Sequence, residues 1–494
     1  MNGFEIERRF WLYPCSMKRF LRENAIAYDA CPIIQFYLVA ETGRVERYRQ
    51  KCTHYIRTIK KGQGLVREEQ EEEIGREAFE EALKRNRGGI IRKVRRRFVL
   101  EGRTYELDSF KGPLKGLNIL EIEFDNEEEA KGLRLPAPLS DLVIAEVTNE
   151  PAFSNGALSR TMRIPALASP LPTLLDSVRQ REDFLKASTP LALKPSESSA
   201  NALKALFTTL LMSVKANRQA MLAGDGDPER LHQFRVAMRK LRALLSQMSP
   251  LFDEAWRREH KQKLAALMRQ TGTKRDIDVY LMQMDYYKTL VDTKYHAGLD
   301  ALRRWLEVRE EEERKALTDF LQDDALLNEL NALTSFATTH ERTGLSERAE
   351  NPVIVEVKKA LKKRYANVLK RGAAVGRHSP AHTYHEVRIE VKKLRYLMEF
   401  FASILEEEAY GVMLKRLKTI QTILGEHQDL DVQRAHLKTF TELPELHDKE
   451  TKKAIDALRS AMGKLEEKKR AEFRDHFSRF AKTADLFHRM VCRF

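Results

Sequence analysis

The sequence has few of the residues that stabilise small secreted proteins, and it lacks the long apolar stretches that cross membranes. Only four cysteines occur in 494 residues, and their spacing contains no CxxC pair. We therefore expect no disulfide framework, as in a reducing compartment. No apolar run approaches the roughly 20 residues of a membrane span, and the first residues mix acidic and basic side chains. The expected location is the cytoplasm, with no membrane partner.

Acidic residues are outnumbered by basic ones. The chain has 87 lysines and arginines against 73 aspartates and glutamates, a net charge of +14. This excess favours acidic partners such as nucleic acid, phosphorylated polymers or anionic lipid. The length exceeds what one hydrophobic core serves and indicates two or three domains.

The hydrophobic pattern changes near residue 160. Up to about residue 155 apolar residues alternate with a period of two, whereas from residue 199 onward the period is helical. Residues 161–198, with five prolines and several serines, read as a linker with one short helix around Leu174–Leu185. The prediction is a two-domain α+β protein, with a β domain at 1–160 and a helical bundle at 199–494. Helices are predicted at 200–222, 229–249, 298–322, 353–371, 384–406 and 450–480, in two repeated units of about 199–350 and 351–494.

The helical half contains the same unusual motif twice. His232-Gln-Phe-Arg-Val-Ala-Met-Arg-Lys-Leu-Arg242 recurs as His385-Glu-Val-Arg-Ile-Glu-Val-Lys-Lys-Leu-Arg395, an offset of 153 positions. At 3.6 residues per turn, the histidine and three basic residues of each copy share one stripe, and the apolar residues lie opposite. The residues predicted to bind an anion are His232, Arg235, Arg239, Lys240, Arg242, His385, Arg388, Lys392, Lys393 and Arg395.

A basic stripe is often only the solvated face of an amphipathic helix. Such a face normally mixes charges, however, because like charges three and four residues apart repel each other. Two purely basic copies therefore indicate a surface for a polyanion. The stripes carry no aromatic side chain for stacking on bases, since Tyr396 lies beside its stripe, which favours inorganic polyphosphate over nucleic acid. Protonation of the two histidines is expected to tighten binding as the pH falls through about 6.5.

A glycine followed by an Asp-x-Asp pair comes 40 residues after each histidine. These are Gly272 with Asp276 and Asp278, and Gly425 with Asp429 and Asp431. We interpret each as a helix break and N-cap whose aspartates pair with the arginines of the stripes. A metal site is the alternative, although such pairs are common in turns.

The strands of the N-terminal half carry charges of one sign on one face. Acidic faces contain Glu5 and Glu7, Glu69 and Glu71, and Glu121 and Glu123, whereas basic faces contain Arg47 and Arg49, and Lys93 and Arg95. One explanation is an open antiparallel sheet with its outer face in water. The other is a closed barrel with a polar interior, covered outside by helices such as 76–86. Opposite charges sorted onto different strands favour the barrel, since carboxylates bind hard divalent ions and arginines bind phosphate.

These blocks resemble the CYTH superfamily of triphosphate tunnel metalloenzymes. Glu5-Ile-Glu-Arg-Arg9 is similar to the family's ExExK opening, and Val45–Arg49, Thr58–Lys60, Arg67–Glu71, Arg92–Arg95, Tyr105–Asp108, Leu120–Glu123 and Glu146–Thr148 follow in the family's order. The duplicated histidine motif resembles the CHAD domain, an α-helical domain associated with polyphosphate. Together they resemble bacterial CYTH–CHAD inorganic triphosphatases.

The resemblance implies an eight-stranded tunnel that hydrolyses inorganic triphosphate with Mg²⁺ or Mn²⁺. It implies metal ligands at Glu5, Glu7, Asp108, Glu121 and Glu123, catalytic roles for Glu69, Glu71 and Lys60, and substrate binding by Arg9, Arg47, Arg49, Lys60, Arg67, Lys93 and Arg95. Two positions depart from the family pattern: Arg9 replaces a lysine, and the segment around Ala152 lacks a basic residue. An adenylyl cyclase, another enzyme that processes nucleoside or thiamine triphosphates, and a non-catalytic polyphosphate-binding protein remain alternatives.

Overall fold

The chain folds into an antiparallel sheet followed by a helical part, as the change of hydrophobic period predicts. The computed structural model describes residues 6–41, 44–61, 68–188, 191–446 and 448–494. The strands are β1 Ile6–Leu12, β2 Asp29–Glu41, β3 Arg44–Lys51, β4 His54–Lys61, β5 Glu68–Glu73, β6 Ile91–Leu100, β7 Arg103–Phe110, β8 Asn118–Phe124 and β9 Val143–Glu146. The helices are α1 Met17–Glu23, α2 Arg76–Arg85, α3 Glu127–Gly132, α4 Asn155–Thr161, α5 Leu171–Arg179, α6 Ser199–Leu222, α7 Pro228–Gln247, α8 Glu254–Arg269, α9 Gly272–Thr289, α10 His296–Gln322, α11 Asp324–Thr338, α12 Val353–Ala373, α13 Ala381–Phe400, α14 Glu407–Phe440, α15 Lys449–Phe480 and α16 Ala484–Cys492.

The sheet runs in the order β5-β4-β3-β2-β6-β7-β8-β1-β9, and its neighbours are antiparallel. The described residues thus form nine strands where the resemblance implies eight. The additional edge strand is β9, whose four residues pair with the end of β1.

The apolar face of the sheet is covered, as predicted, by a helix at the expected place. Phe79 of α2 contacts Phe36 of β2 and Tyr55 of β4, with ring centroids 5.3 and 5.1 Å apart. Phe36 in turn stacks on Tyr48 of β3. Because side chains alternate across a strand, this packing directs the charged residues of the same strands to the other face.

The helices begin where the sequence supplies caps. The Ser198 hydroxyl accepts a hydrogen bond from the Asn201 amide at the start of α6, and the Asp227 carboxylate caps α7 with Pro228 in its first turn. Both are residue types that stabilise a helix start. The six predicted helices are present, although α13 ends at Phe400, six residues before the predicted end. The linker also contains a helix, but α5 ends at Arg179, six residues before the predicted Leu185.

Three helices of the first half of the helical part recur in the second half at the same offset. From α7 to α13 the first residue moves from 228 to 381, from α8 to α14 from 254 to 407, and from α10 to α15 from 296 to 449. Each step is 153 positions. One difference between the halves is that α8 and α9 are separate helices, whereas the corresponding α14 is one continuous helix of 34 residues.

This difference corrects the interpretation of the glycine and aspartate elements. Gly272 does open α9, but its N-cap is Thr271, and Asp276 and Asp278 lie inside the helix. Gly425 lies in the middle of α14, where the helix has no break. The predicted N-cap role of the aspartates is therefore wrong in both copies.

One apolar core joins the two parts of the chain. It includes residues of β1 and β8, the linker helix α5 and helices of both halves of the bundle. Direct contacts cross the junction: the Tyr13 hydroxyl donates to the Ile404 carbonyl at 3.5 Å, and the Phe20 and Phe494 ring centroids are 5.2 Å apart. Among the described residues, no helix combines the length and apolarity needed to cross a membrane.

The cysteines depart from the expectation that they stay unpaired. Cys31 of β2 and Cys52, just beyond β3, form a disulfide, with their α-carbons 5.2 Å apart. The register of β2 against β3, with Ile33 opposite Lys51, brings these two distant positions together. Cys15 and Cys492 are free.

Candidate functional site

The charged face of the sheet places positive and negative side chains on adjacent strands. Cross-strand partners in the ladder include Arg9 with Glu121, Arg47 with Thr58, Arg95 with Asp108, and Glu106 with Glu121. The alternation expected from the sequence is therefore confirmed for the described strands. The acidic end of this face lines a cavity of about 720 Å³ that includes Glu106, Glu121 and Glu123.

Arg95 lies at the centre of this face and contacts three carboxylates. Its guanidinium donates to Asp108 at 2.7 and 2.8 Å, to Glu121 at 2.5 Å and to Glu106. Burial alone would lower the pKa of Arg95, but the three carboxylates outweigh it and raise the pKa above its ordinary value. Arg95 is thus a fixed cation with its orientation set by β7 and β8.

Asp108 is fully buried and accepts hydrogen bonds from both Arg95 and Lys93. Lys93, also buried, donates to the Asp108 oxygen that one Arg95 nitrogen also contacts. Burial would raise the pKa of Asp108, but the charges of Lys93 and Arg95 hold it well below its ordinary value. Both oxygens of Asp108 are engaged by cations. These contacts fit a counter-ion better than the metal-ligand role that the resemblance implies.

A second group of cations lies on β3. The Arg47 guanidinium donates to the Thr58 hydroxyl at 3.0 Å and lies 3.7 Å from a Glu71 oxygen. Burial and the nearby charges of Arg47 and Arg95 lower the pKa of Arg49. The Arg49 Nε atom is buried and has no hydrogen-bond partner among the described residues. Arg49 thus lies near the charges of Arg47 and Arg95, and its buried Nε donor is available to an anion.

The carboxylates on β1 and β8 form the other part of the face. Glu7 lies directly opposite Glu123 in the ladder, and Glu121 lies 3.4 Å from the Arg9 guanidinium. Among the described residues, no three His, Cys, Asp or Glu side chains are arranged to hold a metal ion. Glu5 and Arg67 lie outside the described residues, as do the side chains of Lys60 and Glu69. Their predicted roles stay predictions.

In the helical part, α7 and α13 pack against each other and bring the two basic stripes together. Arg239 of α7 is near enough to lower the pKa of both Arg388 and Lys392 of α13, after burial as the main cause. For Lys392 the pKa falls to about 7. The stripes form a shared basic groove, which we define as His232, Arg235, Arg239, Arg242, His385, Arg388, Lys392 and Arg395.

The basic groove contains buried donors without partners. The Nε atoms of Arg239, Arg242, Arg388 and Arg395 are buried and have no hydrogen-bond partner in the described part of the chain. Buried polar atoms are normally hydrogen-bonded. The groove is therefore suited to a ligand rich in acceptor oxygens.

Comparisons with known proteins find matches for both parts of the chain. A profile of the CHAD domain matches residues 205–438. An inorganic triphosphatase of Nitrosomonas europaea is 35% identical over 132 residues, which are 26% of this chain and 85% of that protein. The chain belongs to the CYTH–CHAD family.

Further relatives match either domain. An uncharacterized protein of Mycobacterium tuberculosis is 29% identical over 226 residues, 42% of this chain and 39% of that protein. The crystal structure of the CHAD domain from the plant Ricinus communis is 22% identical, covers 60% of this chain and 93% of that chain, and has a TM-score of 0.48. The crystal structure of the Nitrosomonas triphosphatase is 31% identical, covers 32% of this chain and 95% of that chain, and has a TM-score of 0.26.

Two lysines predicted to bind polyphosphate in the CHAD domain lie off its basic groove. Lys240 is buried, donates to the Ala187 carbonyl at 2.8 Å and lies 3.5 Å from Glu399. Its prediction as an anion-binding residue is corrected: it ties the linker to α7, because it sits one position, or about 100°, round the helix from Arg239. Lys393 is paired with Glu390 at 2.7 Å.

Two of the four aspartates, Asp276 and Asp429, lie near arginines of the groove. Asp429 lies 4.0 Å from Arg388, so the predicted pairing with an arginine is confirmed there. Burial raises the pKa of Asp429, against the charges of Arg388 and Lys392. Burial likewise lowers the pKa of His232, with Arg275 as the next cause. The pKa of His232 in the free protein therefore lies below its ordinary value.

Sequence reasoning missed three residues of the CYTH domain. Glu106 contacts Arg95, and its position on the face of Asp108 was a usable signal. Arg160 of α4 is close enough to lower the pKa of Tyr37, which burial raises overall, and nothing in the local sequence marks it. Phe153 holds Arg9 in place, since its carbonyl accepts from the Arg9 guanidinium at 2.7 Å. The departure at Ala152 thus lies beside the departure at Arg9.

Proposed function

We propose that the CYTH domain hydrolyses inorganic triphosphate and that the basic groove of the CHAD domain binds polyphosphate. The observation that carries the first part is the cluster of Arg47, Arg49 and Arg95, with a buried Arg49 donor that has no partner in the described chain. Guanidiniums bind phosphate oxygens in a fork geometry. The relative from Nitrosomonas europaea, named as an inorganic triphosphatase, supports the same substrate.

We assign the proposed metal site to carboxylates of the CYTH domain. Glu7 and Glu123 oppose each other in the ladder, and like charges at opposed positions are unfavourable. A hard cation relieves this repulsion, and carboxylate oxygens are its preferred ligands. Since the described carboxylates alone form no group of three arranged for a metal ion, the proposed site depends on Glu5 to complete it, with Glu7, Glu121 and Glu123 as the other ligands of Mg²⁺ or Mn²⁺. When bound, the ion supplies charge neutralisation on the phosphates and polarises a water molecule.

The other residues of the face position the substrate. Arg47, Arg49 and Arg95 bind the phosphate chain, and Asp108 keeps Arg95 and Lys93 oriented before substrate arrives. Glu71 accepts from the Thr58 hydroxyl at 3.3 Å beside Arg47, where it can orient a water and accept its proton. Such preorganised charges are the main source of catalysis in phosphoryl transfer.

The test is phosphate release by the purified full chain from triphosphate, pyrophosphate, long polyphosphate and ATP, each with Mg²⁺, Mn²⁺ or chelator. We expect metal-dependent release from triphosphate. Glu5→Gln with Glu7→Gln should abolish it without unfolding the chain, because the carboxylates that hold the cation are lost. Glu128→Gln, an exposed carboxylate on α3, is the matched control. Full metal-dependent activity in the double variant would contradict the assignment.

The proposal that the CHAD domain binds polyphosphate rests on four buried Nε atoms of the basic groove that have no hydrogen-bond partner among the described residues. From His232 to Arg242 the helix extends about 15 Å at 1.5 Å per residue, enough to follow several phosphates. Substitution of Arg235, Arg239, Arg388 and Lys392 by alanine should abolish binding and leave triphosphate hydrolysis intact. Binding should also weaken steeply with salt, because each contact releases a counterion. Unchanged binding by the quadruple variant at moderate salt would show that the groove is an ordinary solvated surface.

A further inference from the structure

Three side chains meet at the junction of the two domains, away from both sites described above. Cys15 follows β1 of the CYTH domain, Lys358 lies on α12, and Cys492 is the last residue of α16. The Lys358 ammonium nitrogen lies 2.8 Å from each of the two sulfur atoms. The Lys358 nitrogen is thus in contact with both cysteine sulfurs at once.

These contacts are unusually close for sulfur. An N–H···O hydrogen bond measures roughly 2.7–3.2 Å, and sulfur is a larger atom than oxygen. Lys358 is 4% exposed and Cys492 1%, and in the described part of the chain the hydrogen-bond partners of the Lys358 nitrogen are these two sulfurs. The lysine nitrogen and the two sulfurs therefore form a buried group whose polar contacts are with one another.

The surroundings favour reaction of the sulfurs. The pKa of Cys492 is lowered to about 4, mainly by a hydrogen bond from Cys15 and further by His488 and Lys358, although burial opposes this shift. Burial raises the pKa of Cys15. Lys362 also lies near this group: burial and the charges of Lys358 and Lys115 lower its pKa, and the two cysteines act in the opposite direction. Positive surroundings of this kind increase the thiolate character that makes a cysteine oxidisable. Cys15 is only partly buried, which gives a small oxidant access.

The three reactants are held by separate, well-anchored elements. The Cys15 carbonyl accepts from Asn118 at 3.3 Å, and Cys15 Sγ lies 3.5 Å from the Cys492 carbonyl oxygen. On α16, Phe487 stacks on Tyr365 of α12 with ring centroids 4.0 Å apart. Fixed contact between reacting atoms replaces a bimolecular encounter and is worth a large factor in rate.

We propose that dioxygen joins these side chains covalently through two N–O–S links. Each link places one oxygen atom between the Lys358 nitrogen and one of the two cysteine sulfurs. The oxidised junction would tie the CYTH domain to α12 and α16 of the CHAD domain. In each link an S–H and an N–H bond break, and an S–O and an O–N bond form. Sulfur and nitrogen each lose two electrons. Dioxygen gains four, leaving one oxygen atom in the link and the other in water with the two released hydrogens.

The test is the intact mass of the full chain, prepared in air or with a dithiol reductant. Cys31→Ser and Cys52→Ser are introduced first, so that the Cys31–Cys52 disulfide does not contribute to the mass change. Each link replaces two hydrogens by one oxygen, so the aerobic protein should be about 14 Da heavier for one link and about 28 Da for two. The reductant should reverse the gain. Preparation under ¹⁸O₂ should add about 2 Da more per link, and digestion should yield a Lys358 peptide joined to the Cys15 and Cys492 peptides.

Single substitutions separate this link from a simple disulfide. Cys492→Ser and Cys15→Ser should each keep one link of about 14 Da, because the lysine still reaches the remaining sulfur. Lys358→Arg should abolish the gain, whereas Lys362→Arg, a neighbouring lysine on the same helix, should retain it. A loss of about 2 Da with Cys15 joined to Cys492 and Lys358 free would overturn the proposal. No mass change in air would overturn it as well.

Discussion

Lys392 makes the basic groove sensitive to pH in a way that one substitution can isolate. Burial and the charges of Arg388 and Arg239 lower its pKa to about 7, so at pH 8 only about a tenth of the free protein carries this charge. A bound polyanion requires the charged form. Binding therefore takes up a proton above pH 7, and affinity should rise as the pH falls.

The size of the effect follows from the shifted pKa. Between pH 8 and pH 6 the charged fraction of Lys392 rises from about one tenth to about nine tenths, which gives roughly tenfold tighter binding, or about 1.4 kcal/mol. Lys392→Arg should lose this roughly tenfold part of the pH dependence, because an arginine stays protonated throughout this range. Lys392→Met should bind weakly at both pH values.

The assay measures the affinity for polyphosphate by isothermal titration calorimetry at pH 6, 7 and 8 and at constant ionic strength. Lys393→Met is the matched control, since Lys393 is paired with Glu390 and should leave affinity and pH dependence unchanged. Titration of the polymer ends and of other groups is common to all variants and cancels in the comparison. If Lys392→Arg keeps the full pH dependence of the wild type, Lys392 is not the titrating group and the reasoning fails.

Three more outcomes are expected. Asp108→Asn should lower the free energy of unfolding by about 3–5 kcal/mol in urea titrations, because it leaves Lys93 buried without its charge partner; a loss under 1 kcal/mol would contradict the counter-ion role. With ATP and Mn²⁺ the protein should yield little or no cyclic AMP by chromatography, while triphosphate yields phosphate and pyrophosphate; cyclic AMP as the main product would reverse the order of the two functions. Gly372→Ala should destabilise the fold by about 1–3 kcal/mol, because a Cβ there would lie 2.0 Å from the Phe477 ring. Gly411→Ala, where nothing lies within 4 Å of the added carbon, should not destabilise it.

The sequence predicted the elements whose charges follow a strict period. The acidic and basic strand faces and both basic stripes were identified because a period of 2 or 3.6 places their charges on one side. Strand β2 escaped notice because its polar-face residues Gln35 and Tyr37 are uncharged, and β9 because four residues carry too little pattern. The continuity of α14 was missed because a glycine inside a helix costs only about 1 kcal/mol, which packing readily offsets.

Long-range contacts set the limit of sequence reasoning at the candidate sites. The role of Asp108 depends on β6 and β7 being neighbours, and that of Lys240 on where the linker passes. Cys15 lies 343 positions from Lys358, and Lys358 lies 134 positions from Cys492. Sequence spacing cannot predict contacts between residues that lie so far apart in the chain.

The continuous apolar core restricts how the two activities can be separated experimentally. A protease cut between residues 161 and 198 would leave two pieces that still share buried side chains, so they should stay associated instead of drifting apart. A shortened chain without the sheet would expose part of that core to water and gain a tendency to aggregate. Loss of function in such a fragment would then report the damage of the cut, and point substitutions in the intact chain are the sounder way to assign each activity to its domain.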